Sequence, residues 1–171
     1  MKIPSEINLN EVVEFAKKHN SATRLYLGCD SEKHKVNGVW YADYVSVIVV
    51  HINGNRGCKI FGCLQRERDY DQNKKSPRMR LMTEVRKVAE LYLKVFDAFV
   101  EIPDIAENLE VHLDVNKFPE HGSSVVMNEA IGYIRGLCGI EPKLKPEAWS
   151  ASYCADRYTE IVNFPGYKVA S

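Results

Sequence analysis

Hydrophobic and polar residues alternate with a period of two in the first third of the chain, which predicts β-strands. Within residues 24–31 leucine and cysteine recur at every second position, and residues 41–51 are rich in β-branched side chains. Residues 58–64 are expected to form a third strand. The Asn-Gly pair in the turn at residues 52–57 is a strong hairpin signal, so the pattern predicts an antiparallel meander of three strands.

Helices and strands are expected to alternate in the rest of the chain. A short amphipathic helix at residues 10–19, with Asn10 as its N-cap, precedes the first strand. The later helices are predicted at residues 76–100, 122–138 and 146–162, and the later strands at residues 110–115 and 140–145. Residues 31–40 and 65–80 are polar and are expected to be loops. This order predicts an α/β fold with a mixed five-stranded sheet, in which the meander is followed by parallel strands, and with helices on both faces.

The composition is that of a globular chain, with 45% hydrophobic and 27% charged residues. We expect one domain over residues 1–171, with an N-terminal helical extension at 1–23 and a tail at 163–171. The chain has no apolar run of transmembrane length and no signal-peptide pattern, which predicts a cytoplasmic protein without a membrane partner. The formal net charge is zero. This disfavours a sequence-blind nucleic-acid-binding protein, but it permits an enzyme whose acidic and basic residues are segregated.

Two aspartates are expected at the ends of neighbouring strands. Asp30 follows Gly28 at the end of the first predicted strand, and Asp114 lies near the end of the strand that follows the long helix. A strand–helix–strand crossover makes parallel neighbours about 4.8 Å apart, so the two carboxylates are expected to meet at one edge of the sheet. The alternative for each is an ordinary aspartate in a turn.

Two further acids occur in predicted helices. Glu84 lies in line with apolar residues at helical spacing, where burial of an unpaired carboxylate is costly. It either shares a cation with Asp30 or lies at the margin of the stripe beside Arg80 or Arg86. Asp156 lies next to the packed side of the last helix, where a surface position is the alternative.

Converging carboxylates favour phosphoryl transfer assisted by Mg²⁺ or Mn²⁺, because hard divalent cations take oxygen ligands. Two ions about 4 Å apart can hold the attacking water and the leaving oxygen of an in-line displacement. His34 is expected to be a solvated loop histidine, with assistance to proton transfer as the alternative. The basic side chains expected to contact the substrate backbone are Lys74, Lys75, Arg78, Arg80 and Lys117. For the 65–80 segment the alternative is a solvated loop.

Four segments together resemble the YkuK-like family of predicted ribonuclease H-like nucleases. They are residues 28–31 (Gly-Cys-Asp-Ser), 80–84 (Arg-Leu-Met-Thr-Glu), 112–115 (His-Leu-Asp-Val) and 141–159. The resemblance implies a ribonuclease H-like fold and a two-metal cluster of Asp30, Glu84 and Asp114, with Asp156 as its fourth member. The chain departs from the family in having Cys29 before the first aspartate and Glu32 after the serine, where the family more usually has threonine and glutamine.

The leading hypothesis is a divalent-metal-dependent nuclease that acts on RNA, an RNA–DNA hybrid or structured DNA through the Asp/Glu/Asp/Asp cluster. One alternative is a catalytically inactive ribonuclease H-like module that binds nucleic acid or a protein partner, which the neutral charge and the extra negative charge of Glu32 favour. Another is a metal-dependent hydrolase of small phosphoesters.

Overall fold

A computed structural model describes residues 3–19, 22–54, 56–71, 78–116, 126–148, 153–155, 157 and 158. Its helices are α1 (Leu9–Lys17), α2 (Arg78–Ala98), α3 (Pro103–Ala106) and α4 (Met127–Cys138). Its strands are β1 (Arg24–Val36), β2 (Val39–His51), β3 (Cys58–Arg68), β4 (Leu109–Asn116) and β5 (Lys143–Lys145). None of the helices in these ranges has the length and apolar character needed to span a bilayer.

The strands form one five-stranded sheet in the order β3-β2-β1-β4-β5. The β1–β2 and β2–β3 pairs are antiparallel, whereas the β1–β4 and β4–β5 pairs are parallel. The predicted mixed sheet, with a meander followed by parallel strands, is therefore confirmed. The parallel contact between β1 and β4 is short, and it ends at the pair Leu27 and Val111.

The predicted loop at residues 31–40 is wrong, because β1 and β2 continue through it as an antiparallel hairpin. Only Asn37 and Gly38 make the turn, and both have positive φ angles, of 48° and 83°. An Asn-Gly pair favours this kind of tight hairpin turn. The polar residues of this segment are therefore strand residues in a part of the hairpin that extends beyond the core.

Other element bounds also differ from the prediction. Strand β3 continues to Arg68, four residues beyond the predicted end. The N-cap of α1 is Asn8 rather than Asn10, because the Asn8 side chain accepts a hydrogen bond from the Asn10 amide. Residues 146–148 form a turn, so the last helix does not begin at Pro146 as predicted. The predicted start of the long helix at Ser76 lies outside the described residues.

The sheet buries both of its faces, in agreement with the predicted covering of each by helices. The larger cluster packs α1, α2 and α4 against β1, β2 and β4, with Leu27, Ile48 and Val88 at its centre. The smaller cluster lies on the opposite face, where helical residues 153–155, 157 and 158 pack on β2 and β3. We call these five residues the C-terminal helical segment.

A close approach to Gly62 holds the C-terminal helical segment on the sheet. A β-carbon added at Gly62 of β3 would lie 2.8 Å from the ring of Tyr158, and the Tyr158 hydroxyl donates to the Gly62 carbonyl at 3.1 Å. Because glycine has no side chain, Gly62 leaves space on the sheet for the Tyr158 ring.

Candidate functional site

Asp30 and Asp114 lie on the same face of the sheet, on adjacent strands. The last parallel pair of β1 and β4 is Leu27 and Val111, and each aspartate lies three residues beyond it. The two aspartates are therefore at equivalent positions along the strands, just past the point where β1 and β4 cease to pair. Asp30 is directly opposite Val45, which packs in the smaller cluster, so the Asp30 side chain faces away from α2. The prediction that Asp30 ends its strand is wrong, because β1 continues for six more residues.

Glu84 reaches the same region from α2, on the other face of the sheet. The side chain is buried, with only 5% of the residue exposed. Ser31, the residue after Asp30, faces α2 and donates a hydrogen bond from its hydroxyl to Glu84. The Nη1 atom of Arg80 lies 3.8 Å from Glu84 Oε1 and donates to the Ser31 hydroxyl at 2.8 Å and to the Ser31 carbonyl at 2.9 Å.

The three carboxylates influence one another electrostatically. Burial raises the pKa of Glu84 well above its ordinary value, and the negative charges of Asp30 and, to a smaller extent, Asp114 raise this pKa further. The hydrogen bond from Ser31 and the charge of Arg80 act in the opposite direction but do not cancel the shift. The fold therefore concentrates negative charge around a buried carboxylate, which we call the acid cluster (Asp30, Glu84 and Asp114).

Asp114 forms an ion pair with Lys145 at the end of β5. The Asp114 side chain is 18% exposed, so this pair lies at the margin of the fold rather than in its core. β5 runs parallel to β4 and brings Lys145 beside it, opposite Asn116. A basic side chain from the neighbouring strand thus balances one carboxylate of the acid cluster.

The other predicted site residues differ in where they lie. Asp156, Lys74, Lys75 and Lys117 lie outside the described residues. The guanidinium of Arg78 binds Glu129 of α4 through two hydrogen bonds, of 2.7 and 3.0 Å. Arg80 is directed inward to Ser31 and Glu84. The predicted contacts of these basic residues with a substrate backbone stay predictions.

His34 is a strand residue, and the prediction of a solvated loop histidine is wrong. It lies on β1, on the same face as Asp30, with its Nδ1 atom 3.6 Å from an Asp43 carboxylate oxygen. The His34 ring stacks on the Tyr41 ring with 6.1 Å between the centroids. These contacts hold the imidazole in the extended hairpin, and its assistance to proton transfer stays a prediction.

Asp71 is a structural part of the site to which the sequence prediction gave no role. Its carboxylate accepts hydrogen bonds from the backbone amides of Met79 and Arg80, at 3.1 and 2.7 Å. These are free amides of the first turn of α2, so Asp71 stabilises the helix end that carries Arg80 and Glu84. The separation of seven residues between Asp71 and the first residue of α2 conceals this capping in the sequence.

One comparison with known proteins decides the family. The model of a family described as ribonuclease H-like matches residues 8–160, which is most of the chain. The chain belongs to the ribonuclease H-like family. The resemblance carried by the four sequence segments is therefore confirmed, as is the predicted fold class. Neither the curated proteins nor the solved structures compared with the chain gave a match.

The acid cluster of this ribonuclease H-like protein has the donor chemistry that Mg²⁺ or Mn²⁺ requires. All three groups are carboxylates, and a bound cation would offset the repulsion that raises the pKa of Glu84. In the ranges that the structure describes, no three His, Cys, Asp or Glu side chains are grouped closely enough to hold a metal ion. Glu84 and Asp114 are instead paired with Arg80 and Lys145.

Proposed function

We propose that the protein is a nuclease that hydrolyses phosphodiester bonds by a two-metal-ion mechanism, with Asp30, Glu84, Asp114 and Asp156 as metal ligands. The observation that supports this most strongly is the buried carboxylate of Glu84, whose pKa is raised by burial and by the charges of Asp30 and Asp114. Ribonuclease H-like proteins generally use divalent metals, and their fold suggests binding of nucleic acid. RNA, an RNA–DNA hybrid and structured DNA are the proposed substrates.

If bound, two Mg²⁺ or Mn²⁺ ions would activate the attacking water and stabilise the leaving oxygen. Asp30 and Asp114 would hold the metals from adjacent strands, Glu84 would complete the first site, and Asp156 would complete the second. Ser31 and Arg80 position Glu84 by direct contact with its carboxylate. These are the roles that we assign to the residues of the chain.

Arg80 also supports action on a phosphate-containing substrate. Its Nε atom is buried and has no hydrogen-bond acceptor in the part of the chain that the structure describes. A phosphate oxygen is the kind of acceptor that a guanidinium favours. We therefore assign Arg80 to the orientation of Glu84 and to contact with the scissile phosphate, while Lys74, Lys75, Arg78 and Lys117 hold the flanking backbone.

The test is cleavage of fluorescent single-stranded RNA, RNA–DNA hybrid and branched DNA, each with Mg²⁺, Mn²⁺ or EDTA. The wild-type protein is expected to cleave at least one substrate only with metal, and Asp30→Asn should reduce the rate at least about a hundredfold, since electrostatic stabilisation of the transition state is lost. Asp104→Asn is the matched control, because Asp104 is exposed on α3, before the start of β4. Cleavage by Asp30→Asn at the wild-type rate would exclude the proposed mechanism.

A second candidate function is a ribonuclease H-like module that binds nucleic acid or a protein partner without catalysis. The ion pairs of Asp114 with Lys145 and of Glu84 with Arg80 favour it, because these basic groups already balance carboxylates of the acid cluster. The cleavage panel separates the two candidates. A folded wild-type protein that cleaves no substrate with either metal would support the binding module.

A further inference from the structure

A groove lies at the tip of the β1–β2 hairpin. It has a volume of about 480 Å³ and lies between the start of β2 and the residues that follow β3. Its walls include Lys33, Trp40, Arg68, Asp69 and Tyr70. We call it the hairpin groove. The Asp69 amide donates to the Trp40 carbonyl at 2.9 Å, which fixes the two sides of the groove to each other.

Aromatic rings and cationic side chains alternate along the hairpin groove. The ammonium groups of Lys33 and Lys35 lie 4.9 and 5.4 Å from the centre of the Trp40 ring. The guanidinium of Arg68 lies 5.2 Å from the centre of the Tyr70 ring. Tyr70 is 62% exposed, so its ring is accessible to a ligand.

The negative charges of the groove are already engaged within the protein. Asp69 forms an ion pair with Lys33 at 2.7 Å, and Asp71 accepts hydrogen bonds from the first amides of α2. Lys33, the nearer of the two lysines to the Trp40 ring, is thus engaged with Asp69, whereas Lys35 beside Trp40 and Arg68 beside Tyr70 are exposed. A ligand with aromatic faces and a few negative charges therefore matches the groove.

The lysines beside Trp40 lie on the same face of β1 as Ser31, the residue that contacts Glu84. These lysines are Lys33 and Lys35, and Trp40 is directly opposite Lys35 in the register. Four residues of strand separate Ser31 from this position, a distance of about 13 Å. A single chain of ligand can thus contact both places.

We infer that the hairpin groove binds a single-stranded segment of nucleic acid, whose bases stack on Trp40 and Tyr70 while Lys35 and Arg68 contact its phosphates. Base–aromatic stacking tolerates any sequence and needs few charges, which agrees with a chain of zero net charge. A duplex keeps its base faces covered, so the groove favours single strands over duplexes. This inference rests on the proposed action on nucleic acid, and it specifies the strand state that the site accepts.

Binding is measured by fluorescence anisotropy of labelled 12-nucleotide RNA and DNA, single-stranded or duplex, in EDTA, where cleavage is absent. The wild-type protein is expected to bind single strands at least about tenfold more tightly than duplexes. Tyr70→Ala and Trp40→Ala should each weaken single-strand binding about tenfold, in line with the loss of one stacked base. Trp40→Phe keeps an aromatic face and should bind within about threefold of wild type. Tyr133→Ala, at an exposed tyrosine on α4, is the matched control.

The salt dependence gives a second measurement. Two phosphate contacts on a single strand predict a slope of about −1.4 for the logarithm of the association constant against the logarithm of salt concentration. Lys35→Ala should reduce this slope by about half.

Unchanged affinity in both Tyr70→Ala and Trp40→Ala would overturn the inference, and so would wild-type binding of duplexes as tight as that of single strands. Absence of any nucleic-acid binding by the wild-type protein would also overturn it and would favour a protein partner. The assay in EDTA measures binding without cleavage, which separates this test from the nuclease proposal. Normal stacking-dependent binding without cleavage by the wild-type protein would contradict the nuclease and support the groove.

Discussion

The buried position of Glu84 is unfavourable for folding stability, although the proposed chemistry uses its carboxylate. A carboxylate with 5% exposure is unfavourable in a protein interior unless it is protonated, hydrogen-bonded or close to positive charge. Ser31 supplies a hydrogen bond to the carboxylate, and Arg80 supplies a nearby positive charge. Burial and the nearby aspartates still raise the pKa of Glu84. Such strained electrostatics are typical of functional sites.

The pKa of Glu84 predicts how stability depends on pH in EDTA. The pKa of Glu84 in the folded protein lies above its unfolded value of 4.5, so the unfolded protein loses this proton at a lower pH. The free energy of unfolding therefore falls as the pH rises from about 4.5 through the folded pKa. Glu84→Gln cannot ionise, so its melting temperature relative to wild type should increase between pH 5 and pH 8. A difference of about 1 kcal/mol corresponds to about 2–4 °C for a chain of this size.

Glu141→Gln is a control with the opposite sign. The hydrogen bond from Arg135 lowers the pKa of Glu141, so this exposed pair contributes stability that is lost as the pH falls. Its substitution should therefore lower the melting temperature slightly at neutral pH and leave it unchanged in acid. A Glu84→Gln protein whose melting temperature follows that of wild type at every pH would contradict the electrostatic description of the acid cluster.

Asp30, Glu84 and Asp114 could be selected from the sequence because each interrupts a hydrophobic pattern, in a strand or within a helical stripe. Their common role as metal ligands stays a prediction. The contacts of Ser31 with Glu84 and of Lys145 with Asp114 depend on the packing of α2 and β5 against distant strands. No local pattern in the sequence encodes such tertiary pairs.

At the scale of elements, the N-terminal end of α2 determines the position of Glu84 and of Arg80 beside it. Asp71 binds two of its free amides, and the next turns carry Arg80 and Glu84. Loss of this cap should loosen the turn from which both side chains extend.

Asp71→Ala is expected to destabilise the protein by about 0.5–2 kcal/mol, the usual cost of losing an N-cap. It should also reduce cleavage about tenfold or more, because the Glu84 carboxylate loses its fixed position. Urea unfolding and the cleavage assay measure the two effects. Asn8→Ala removes the equivalent cap of α1 and should cost similar stability with cleavage unchanged. Equal loss of cleavage in the two variants would show that the effect is one of general stability.

The C-terminal helical segment depends on the space at Gly62. Gly62→Ala places a methyl group 2.8 Å from the Tyr158 ring, so the ring must move, and we expect a loss of about 1–3 kcal/mol from overpacking. Because the sequence places Asp156 within this segment, cleavage should fall as well. Gly132→Ala is the control, since the added methyl on exposed α4 meets no atom within 4 Å and should stabilise the helix by about 0.5–1 kcal/mol. Thermal unfolding of Gly62→Ala at the wild-type temperature would refute this packing.

Element types were predictable, but the length of the β1–β2 hairpin was not. Strand alternation and helical spacing identified the meander, the long helix and the parallel strands. The hairpin was assigned as a loop because residues 31–40 are polar, although Asn37 and Gly38 provide the turn. A ribbon that extends beyond the core has no buried face, and it therefore lacks the apolar alternation on which strand prediction depends.

At the scale of the molecule, the chain combines zero net charge with a local separation of charge. Acids are concentrated where β1 and β4 cease to pair, and aromatic rings with lysine and arginine side chains line the hairpin groove. We propose that the groove holds a nucleic-acid strand mainly by stacking and that the acid cluster takes up the cation needed for cleavage. Cation binding is the property on which the nuclease proposal depends.

The most direct test is isothermal titration of the metal-free protein with Mn²⁺, for wild type, Asp30→Asn and the Asp104→Asn control. We predict saturable binding by wild type and by the control, and binding at least about tenfold weaker by Asp30→Asn, because one carboxylate ligand of the hard cation is lost. The melting temperature of Asp30→Asn in EDTA should show that the variant is folded. The account would be contradicted if the wild-type protein showed no saturable binding up to about 10 mM Mn²⁺, a concentration beyond the millimolar range of weak metal sites. Equal binding by folded Asp30→Asn would also contradict it.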